Sequence, residues 1–264
     1  MKTGNNIPLL GLGVYDMYHQ EAELAVLNAL TIGYRLIDTA SMYENEVEIG
    51  HALKQTNVPR SEIYLTTKLN NTDHGYDQAL RAFDASLKKL QQDYVDLYLI
   101  HWPIKEGRKD SWKALENIYA SGRAKAIGVA NYTLPFLKEL ETYANMAPTL
   151  NQIEFTPWLF QEEVLNYCNK NNIQLQSYSP ITRGQKFNDP RLIALCKQYQ
   201  KTPAQIILNW NLQLGVSTIP KSSNKERLQE NFDAQHFTLN AQDVELMNTF
   251  NEGFRICDDP TIFL

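Results

Sequence analysis

Short apolar runs alternate with longer amphipathic stretches along most of this chain. The runs occupy residues 35–38, 63–67, 94–100, 126–129, 151–155, 173–178 and 216–220. Several are rich in Val, Ile and Tyr, the composition of strands buried on both faces. Between them, apolar positions recur at helical intervals. Residues 21–30 form one such stretch. Residues 77–90 put Leu80, Phe83, Leu87 and Leu90 on one face, with Asp77 as an acidic N-cap. Residues 112–119 stop at Ser121-Gly122, a helix-ending pair. Thr202-Pro203 opens a helix over 204–214, with proline at its first position.

Strand followed by helix, repeated, predicts a parallel sheet with helices outside. The chain has 264 residues, which spread over eight units allows 33 each. That suits a (β/α)8 TIM barrel in the α/β class, one domain over residues 1–264. The pattern supplies seven strands, and the eighth is expected between Tyr178 and Val216. The rival is a doubly wound open sheet. Its glycine fingerprint is missing, because Gly11-Leu-Gly13-Val-Tyr-Asp16 has no third glycine in place. Residues 3–12, with Gly4-Asn5-Asn6 as the turn, predict a β-hairpin ahead of the first strand.

Composition narrows the function classes. Hydrophobic residues at 43% and charged residues at 21% exclude wholesale disorder. Twenty-five basic against 30 acidic side chains leave a net charge of −5, which argues against nucleic acid or an anionic membrane as partner. Cys168, Cys196 and Cys257 are too scattered for a disulfide framework, and no metal site is expected. No apolar run approaches membrane length. These features predict a cytoplasmic protein, and a monomer because nothing marks an interface.

Polar residues stand where the apolar runs stop: Asp38, Lys68, His101, Asn131, Gln152, Tyr178 and Lys221. In a barrel these strand ends converge on one face, the face that carries active sites. Taken singly, each has an ordinary structural role, such as a turn cap, a solvated cation or a core histidine. Together they define a ring. Asp38, Tyr43, Lys68 and His101 combine an acid, a phenol, an ammonium and an imidazole. A carboxylate beside Lys68 holds the ammonium charged, and that charge is expected to draw the Tyr43 phenol below its ordinary pKa of about 10. Such a phenol protonates a carbonyl oxygen that is gaining negative charge. No serine elbow, zinc-protease motif or P-loop accompanies it. A hydride must then come from a cofactor.

The segments Leu36-Ile-Asp38-Thr-Ala40, Tyr43-Glu-Asn-Glu46, Thr66-Thr-Lys68-Leu, Leu99-Ile-His101-Trp-Pro103, Ile127-Gly-Val-Ala-Asn131, Asn151-Gln-Ile-Glu154, Tyr178-Ser-Pro180 and Ile219-Pro-Lys-Ser222 closely resemble the aldo-keto reductases. The likeness runs in order over nearly the whole chain, and the short length resembles the bacterial diketogluconate and methylglyoxal reductase branch. The resemblance implies NADPH lying across the C-terminal face of the barrel, with no separate dinucleotide-binding domain. It implies Tyr43 as proton donor, supported by Lys68 and Asp38, with His101 orienting the carbonyl. Asn131 and Gln152 would hold the nicotinamide carboxamide, and Tyr178 would stack on the ring. Ser179 and Ile181 would line the pyrophosphate path. Lys221, Ser222, Asn224 and Arg227 match the adenosine 2′-phosphate pocket, with Glu230 and Asn231 near the adenine. Within an acidic chain, the segment Lys221–Arg227 also reads directly as a phosphate cradle or as a capped helix start.

Three positions depart from the family pattern. Ala130 replaces the usual serine, Thr156 the usual histidine, and Asn70 a frequent tryptophan. Tyr15, Met42, Asn70 and Trp102 are the expected pocket walls, around a shallow site suited to small aldehydes, α-dicarbonyls such as methylglyoxal, or keto-sugar acids. The leading reading is an NADP-dependent oxidoreductase reducing such carbonyls. The alternatives are a non-turnover NADPH-binding barrel and a lyase or isomerase using Lys68 as a Schiff base.

Overall fold

A computed structural model of the chain describes residues 7–263. Eight strands form one parallel sheet in sequence order. They are β1 (Leu12–Gly13), β2 (Leu36–Asp38), β3 (Tyr64–Leu69), β4 (Leu97–Ile100), β5 (Ile127–Ala130), β6 (Leu150–Glu154), β7 (Gln174–Tyr178) and β8 (Ser217–Thr218). Outside them run α1 (His19–Ile32), α2 (Glu46–Gln55), α3 (Tyr76–Leu90), α4 (Arg108–Ala120), α5 (Leu134–Glu141), α6 (Glu162–Lys170), α7 (Pro190–Tyr199), α8 (Pro203–Gln213), α9 (Lys225–Phe232) and α10 (Ala241–Asn248). The sheet closes on itself. Leu10 pairs with Thr218 and Gly13 with Lys221 in parallel bridges. The Gly11 amide donates to the Thr218 carbonyl at 2.9 Å, and Thr218 donates to Leu9 at 2.8 Å.

Seven strands lie where the apolar runs predicted them. The eighth does not lie between Tyr178 and Val216, which holds a 3-10 turn at Thr182–Gly184, then α7 and α8. It is β1, near the front of the chain. With two residues and a glycine on either side of Leu12, it carries too little alternation to read locally. Its place is set by pairing with β2 on one side and by closure against β8 on the other. The expected hairpin turn at Gly4-Asn5-Asn6 lies outside the described residues; the segment after it runs straight into the closing seam. The seam needs glycine, since a Cβ on Gly13 would stand 2.8 Å from the Ile219 carbonyl oxygen.

Strand alternation sorts the side chains. Tyr98 and Ile100 pack into the large cluster beneath the helices, whereas Leu97 and Leu99 join Ile7, Ala130 and Leu150 in a smaller one inside the barrel. Counting by twos along β2, β3, β4, β6 and β7 therefore aims Asp38, Lys68, His101, Gln152, Glu154 and Tyr178 inward at the C-terminal rim. Above the small apolar plug the interior is polar. Gln152 donates to Gln176, Gln176 to Ser217, and Ser217 to the Pro8 carbonyl.

Local chemistry fixes the helix starts near the site. Pro203 stands at the first position of α8, as the sequence predicted, and Thr202 and Gln205 add a reciprocal capping box around it. Asp77 lies in the first turn of α3, whose N-cap is Gly75. Asn224 caps α9 by accepting from the Arg227 amide at 2.8 Å. Gly13→Ala should destabilise the barrel by about 1–3 kcal/mol, because the added methyl overpacks the seam. Urea unfolding followed by tryptophan fluorescence measures this, and an unchanged midpoint would show that the seam tolerates a side chain.

Candidate active site

Lys68 is fully buried at the end of β3 and cannot be left unpaired there. Its Nζ lies 2.5 Å from Asp38 Oδ1, donates to the Thr39 carbonyl at 3.0 Å, and stands 3.4 Å from the Tyr43 hydroxyl. The other Asp38 oxygen accepts from Gln152 at 2.7 Å. Burial pulls both ions toward neutrality, raising the Asp38 carboxyl and lowering the Lys68 ammonium, and their contact opposes both shifts. Tyr43 is set by a short 3-10 turn, Ser41–Tyr43, that Ser41 ties to the Lys68 carbonyl at 2.9 Å. The ring of His101 meets the Tyr43 ring edge-on at 5.6 Å between centroids.

The phenol does not follow the expected direction. Burial, then the Asp38 charge, push Tyr43 well above its ordinary value. The reason is geometric: the ammonium is closer to Asp38 than to the phenol, so the pair offers Tyr43 little net positive field. Tyr43 is therefore a protonated phenol at neutral pH. His101 is held well below its ordinary value by burial and by Lys68, so it is a neutral imidazole. Its Nδ1 has no hydrogen-bond partner among the described residues.

These groups floor a cleft of about 1020 Å³ at the C-terminal rim. Among the expected residues, Asp38, Tyr43, His101, Asn131, Gln152, Tyr178, Ser179, Ile181, Lys221, Ser222, Asn224, Arg227, Glu230, Asn231, Tyr15, Met42 and Trp102 all line it. Lys68 lies behind them. Asn70 is the exception, since its side chain turns back to accept from the Asn71 amide at 2.7 Å. Asn71 lines the cleft in its place. The other departures are structural: Ala130 fills the interior cluster, and the Thr156 hydroxyl closes a turn by accepting from the Leu159 amide at 3.1 Å.

One end of the cleft is prebuilt by side-chain ties. Tyr178 donates its hydroxyl to Asn131 at 2.7 Å, and Asn131 donates to the His101 carbonyl at 2.9 Å. The Tyr178 ring is thus fixed by its far edge. Gln152 commits its amide nitrogen to Asp38 and Gln176, leaving its oxygen as the group able to accept. Asn131, Ser179, Thr182 and Arg183 all adopt left-handed backbone at the rim, at φ 64°, 47°, 51° and 49°. Such residues cost of order 1 kcal/mol each and cluster at functional sites. At the other end, Lys221 and Arg227 reach the cleft without a carboxylate partner among the described residues.

Sequence reasoning missed the walls that come from far along the chain. Ile256, Cys257, Asp258 and Phe263 line the cleft, as does Arg183. The Phe263 ring packs on Trp102 at 5.8 Å, and Arg183 lies over Tyr15 at 5.9 Å. No periodicity marks these residues; the path of the tail brings in four of them, and the turn Thr182–Gly184 brings in Arg183.

A parallel eight-stranded barrel with a phenol, an ion pair and an imidazole under a long rim cleft defines an oxidoreductase-like site. The chain belongs to the aldo/keto reductase family, which it matches over residues 10–252. A glyoxal reductase of Bacillus subtilis (strain 168) is 42% identical over 261 residues, 98% of this chain and 95% of its own length. An aldo-keto reductase from a Medee basin deep-sea metagenome library superposes with a TM-score of 0.94 at 40% identity, covering 98% of this chain and 97% of that one. A Gox0644 variant solved in complex with NADPH gives 0.93 at 36% identity, covering 99% and 97%. Among the described residues, no helix is long and apolar enough to cross a membrane, and no cluster of metal-ligating side chains occurs.

Behind Trp102, burial holds His74 down to about 4, with its Nδ1 3.2 Å from the Ser111 hydroxyl. The folded state thus keeps His74 neutral where the unfolded chain protonates it near 6.5. This contribution is intact above pH 6.5 and is lost as pH falls toward 4, by up to about 3 kcal/mol. His74→Asn should flatten that acid slope in pH-dependent urea melts. An unchanged slope would assign the acid sensitivity elsewhere.

Proposed function

We propose that this chain, acting as one barrel over residues 1–264, is an NADPH-dependent reductase of small aldehydes and ketones. The carrying observation is the Tyr43 hydroxyl, protonated and 3.4 Å from the Lys68 ammonium, at the floor of a cleft of about 1020 Å³ that runs on to Lys221 and Arg227. NADPH, when bound, supplies the hydride to the carbonyl carbon. Tyr43 gives its proton to the carbonyl oxygen as negative charge builds there. The raised phenol stays protonated until that moment, and Lys68 stabilises the phenolate left behind. Asp38 keeps Lys68 charged and aimed. Neutral His101 orients the carbonyl oxygen by donating an N–H rather than by transferring a proton.

The residues present fit the cofactor. The free acceptor on Gln152 and the spare amide hydrogen of Asn131 suit a carboxamide, and the tethered Tyr178 ring suits a planar heterocycle. Ser179 and Ile181 sit on the strained loop beside the pyrophosphate path. Lys221 and Arg227, unpaired among the described residues, suit a 2′-phosphate, helped by Ser222 and Asn224 at the start of α9. Glu230 and Asn231 border the adenine end. The pocket above Tyr43 is walled by Tyr15, Met42, Asn71 and Trp102, which favours compact α-dicarbonyls and keto-sugar acids over large apolar carbonyls.

Tyr43→Phe should lower kcat by about 100- to 10,000-fold while leaving NADPH quenching of tryptophan fluorescence intact. Near-wild-type turnover would remove Tyr43 as the acid, and wild-type quenching without turnover on a broad carbonyl panel would favour a binding protein. With Tyr43 raised and His101 lowered, kcat/KM for reduction should be flat from pH 6 to 9, with no inflection near the ordinary histidine value of about 6.5. An inflection there would mean that His101 titrates during turnover. Arg227→Ala should weaken NADPH about 10- to 100-fold in fluorescence titrations, the scale of a lost hydrogen bond to a charged group, and leave NADH unchanged. Equal losses for both would place Arg227 away from the 2′-phosphate.

A further inference from the structure

Glu154 closes β6 at an inward position, two residues beyond Gln152, and is 1% exposed. The hydride-transfer chemistry makes no use of it. A carboxylate buried this deeply requires donors, and its donors come from the distant tail. Oε1 accepts from the Ile256 backbone N–H at 2.6 Å, and Oε2 accepts from the Cys257 N–H at 3.0 Å. Burial pushes the carboxyl up, while the two N–H groups and the nearby Arg255 and Arg183 hold it down.

The other ties on the tail lie on either side of residues 256 and 257: Lys186 pairs with Glu252 and stands over the Phe254 ring, and the Phe263 ring packs on Trp102. After α10 the only regular element among the described residues is a 3-10 turn at Pro260–Phe263. Upstream, the Glu252 and Phe254 amides donate to the Trp158 carbonyl at 3.1 Å each. Downstream, buried Arg108 donates to the Phe263 carbonyl at 3.3 Å. Glu154 is the tie between them, at the stretch where Ile256, Cys257 and Asp258 face the cleft. Cys257 lies against Tyr178 and Ser179.

We infer that Glu154 is a positioning residue for substrate: its two carboxylate oxygens pin residues 256 and 257 so that the tail forms the wall beside Tyr43 and Tyr178. It sets affinity for the carbonyl without touching it. This rests on the reductase reading of the same cleft. The chemistry is specific to a carboxylate, because two N–H donors converge on one group that only accepts. Glutamine of the same shape offers one acceptor and turns an NH2 toward the other N–H.

Glu154→Gln in the full chain should raise KM for the carbonyl about tenfold, the scale of one lost charge-assisted hydrogen bond, with kcat within about twofold and NADPH affinity unchanged. Maleimide labelling followed by peptide mass spectrometry should show Cys257 reacting about tenfold faster, with half-buried Cys196 unchanged as the folding control. An unchanged KM, unchanged Cys257 labelling, or faster labelling of both cysteines would overturn the assignment, the last by showing general loosening. If wild type reduces no carbonyl, the reductase reading fails separately, and the labelling alone decides whether Glu154 holds the tail. Should Glu154→Gln not fold, Glu154→Asp, one methylene too short to reach both amides, takes its place under the same criteria.

Discussion

The buried pair of Lys68 and Asp38 is the constraint around which the rest of the molecule is arranged. Two ions removed from water cost several kcal/mol each, and their attraction repays this only when every remaining donor and acceptor is met. Thr39 and Tyr43 take the other ammonium hydrogens, and Gln152 takes the second carboxylate oxygen. Gln152 in turn engages Gln176, which engages Ser217 and, through it, the closing seam. An expensive pair at the rim is thus wired down the barrel axis. Hydrophobic packing alone gains nothing from such a column, which points to its use at the cleft.

Much of this was readable in the chain. Seven strands announce themselves because each is a short apolar run between amphipathic helices, and parity along those strands aims the polar residues at one rim. The ring of Asp38, Lys68, His101, Gln152 and Tyr178 follows from that arithmetic. What escaped the reading depends on long-range geometry. β1 is only two residues, paired with β2 on one side and closed on the other by a strand some two hundred positions later. Asn70 and Asn71 are indistinguishable in sequence, and a local hydrogen bond to the backbone decides which one faces the cleft.

The direction of the Tyr43 shift is the most instructive difference. A lysine near a tyrosine suggests a lowered phenol, and that holds when the cation is free. Here the cation is already matched by Asp38, and burial of the phenol dominates. In the proposed reaction, burial and the Asp38 charge keep the proton in place at rest, and the Lys68 ammonium would stabilise the phenolate once the proton has left. A resting acid that holds its proton, next to a charge that matters only later, is what differential stabilisation of a transition state requires.

Closure of the barrel also has a consequence for the order in which the molecule is made. β1 leaves the ribosome early, yet the strand that completes its hydrogen bonds is synthesised about 200 residues later, and the wall at Ile256–Cys257 later still. During translation the growing chain carries an open sheet with two unpaired edges and a half-built cleft. A nascent chain stalled before β8 has its phenol, ammonium and imidazole but no seam to set their spacing. A chain that ends before β8 therefore lacks both the seam and the tail wall that complete the cleft.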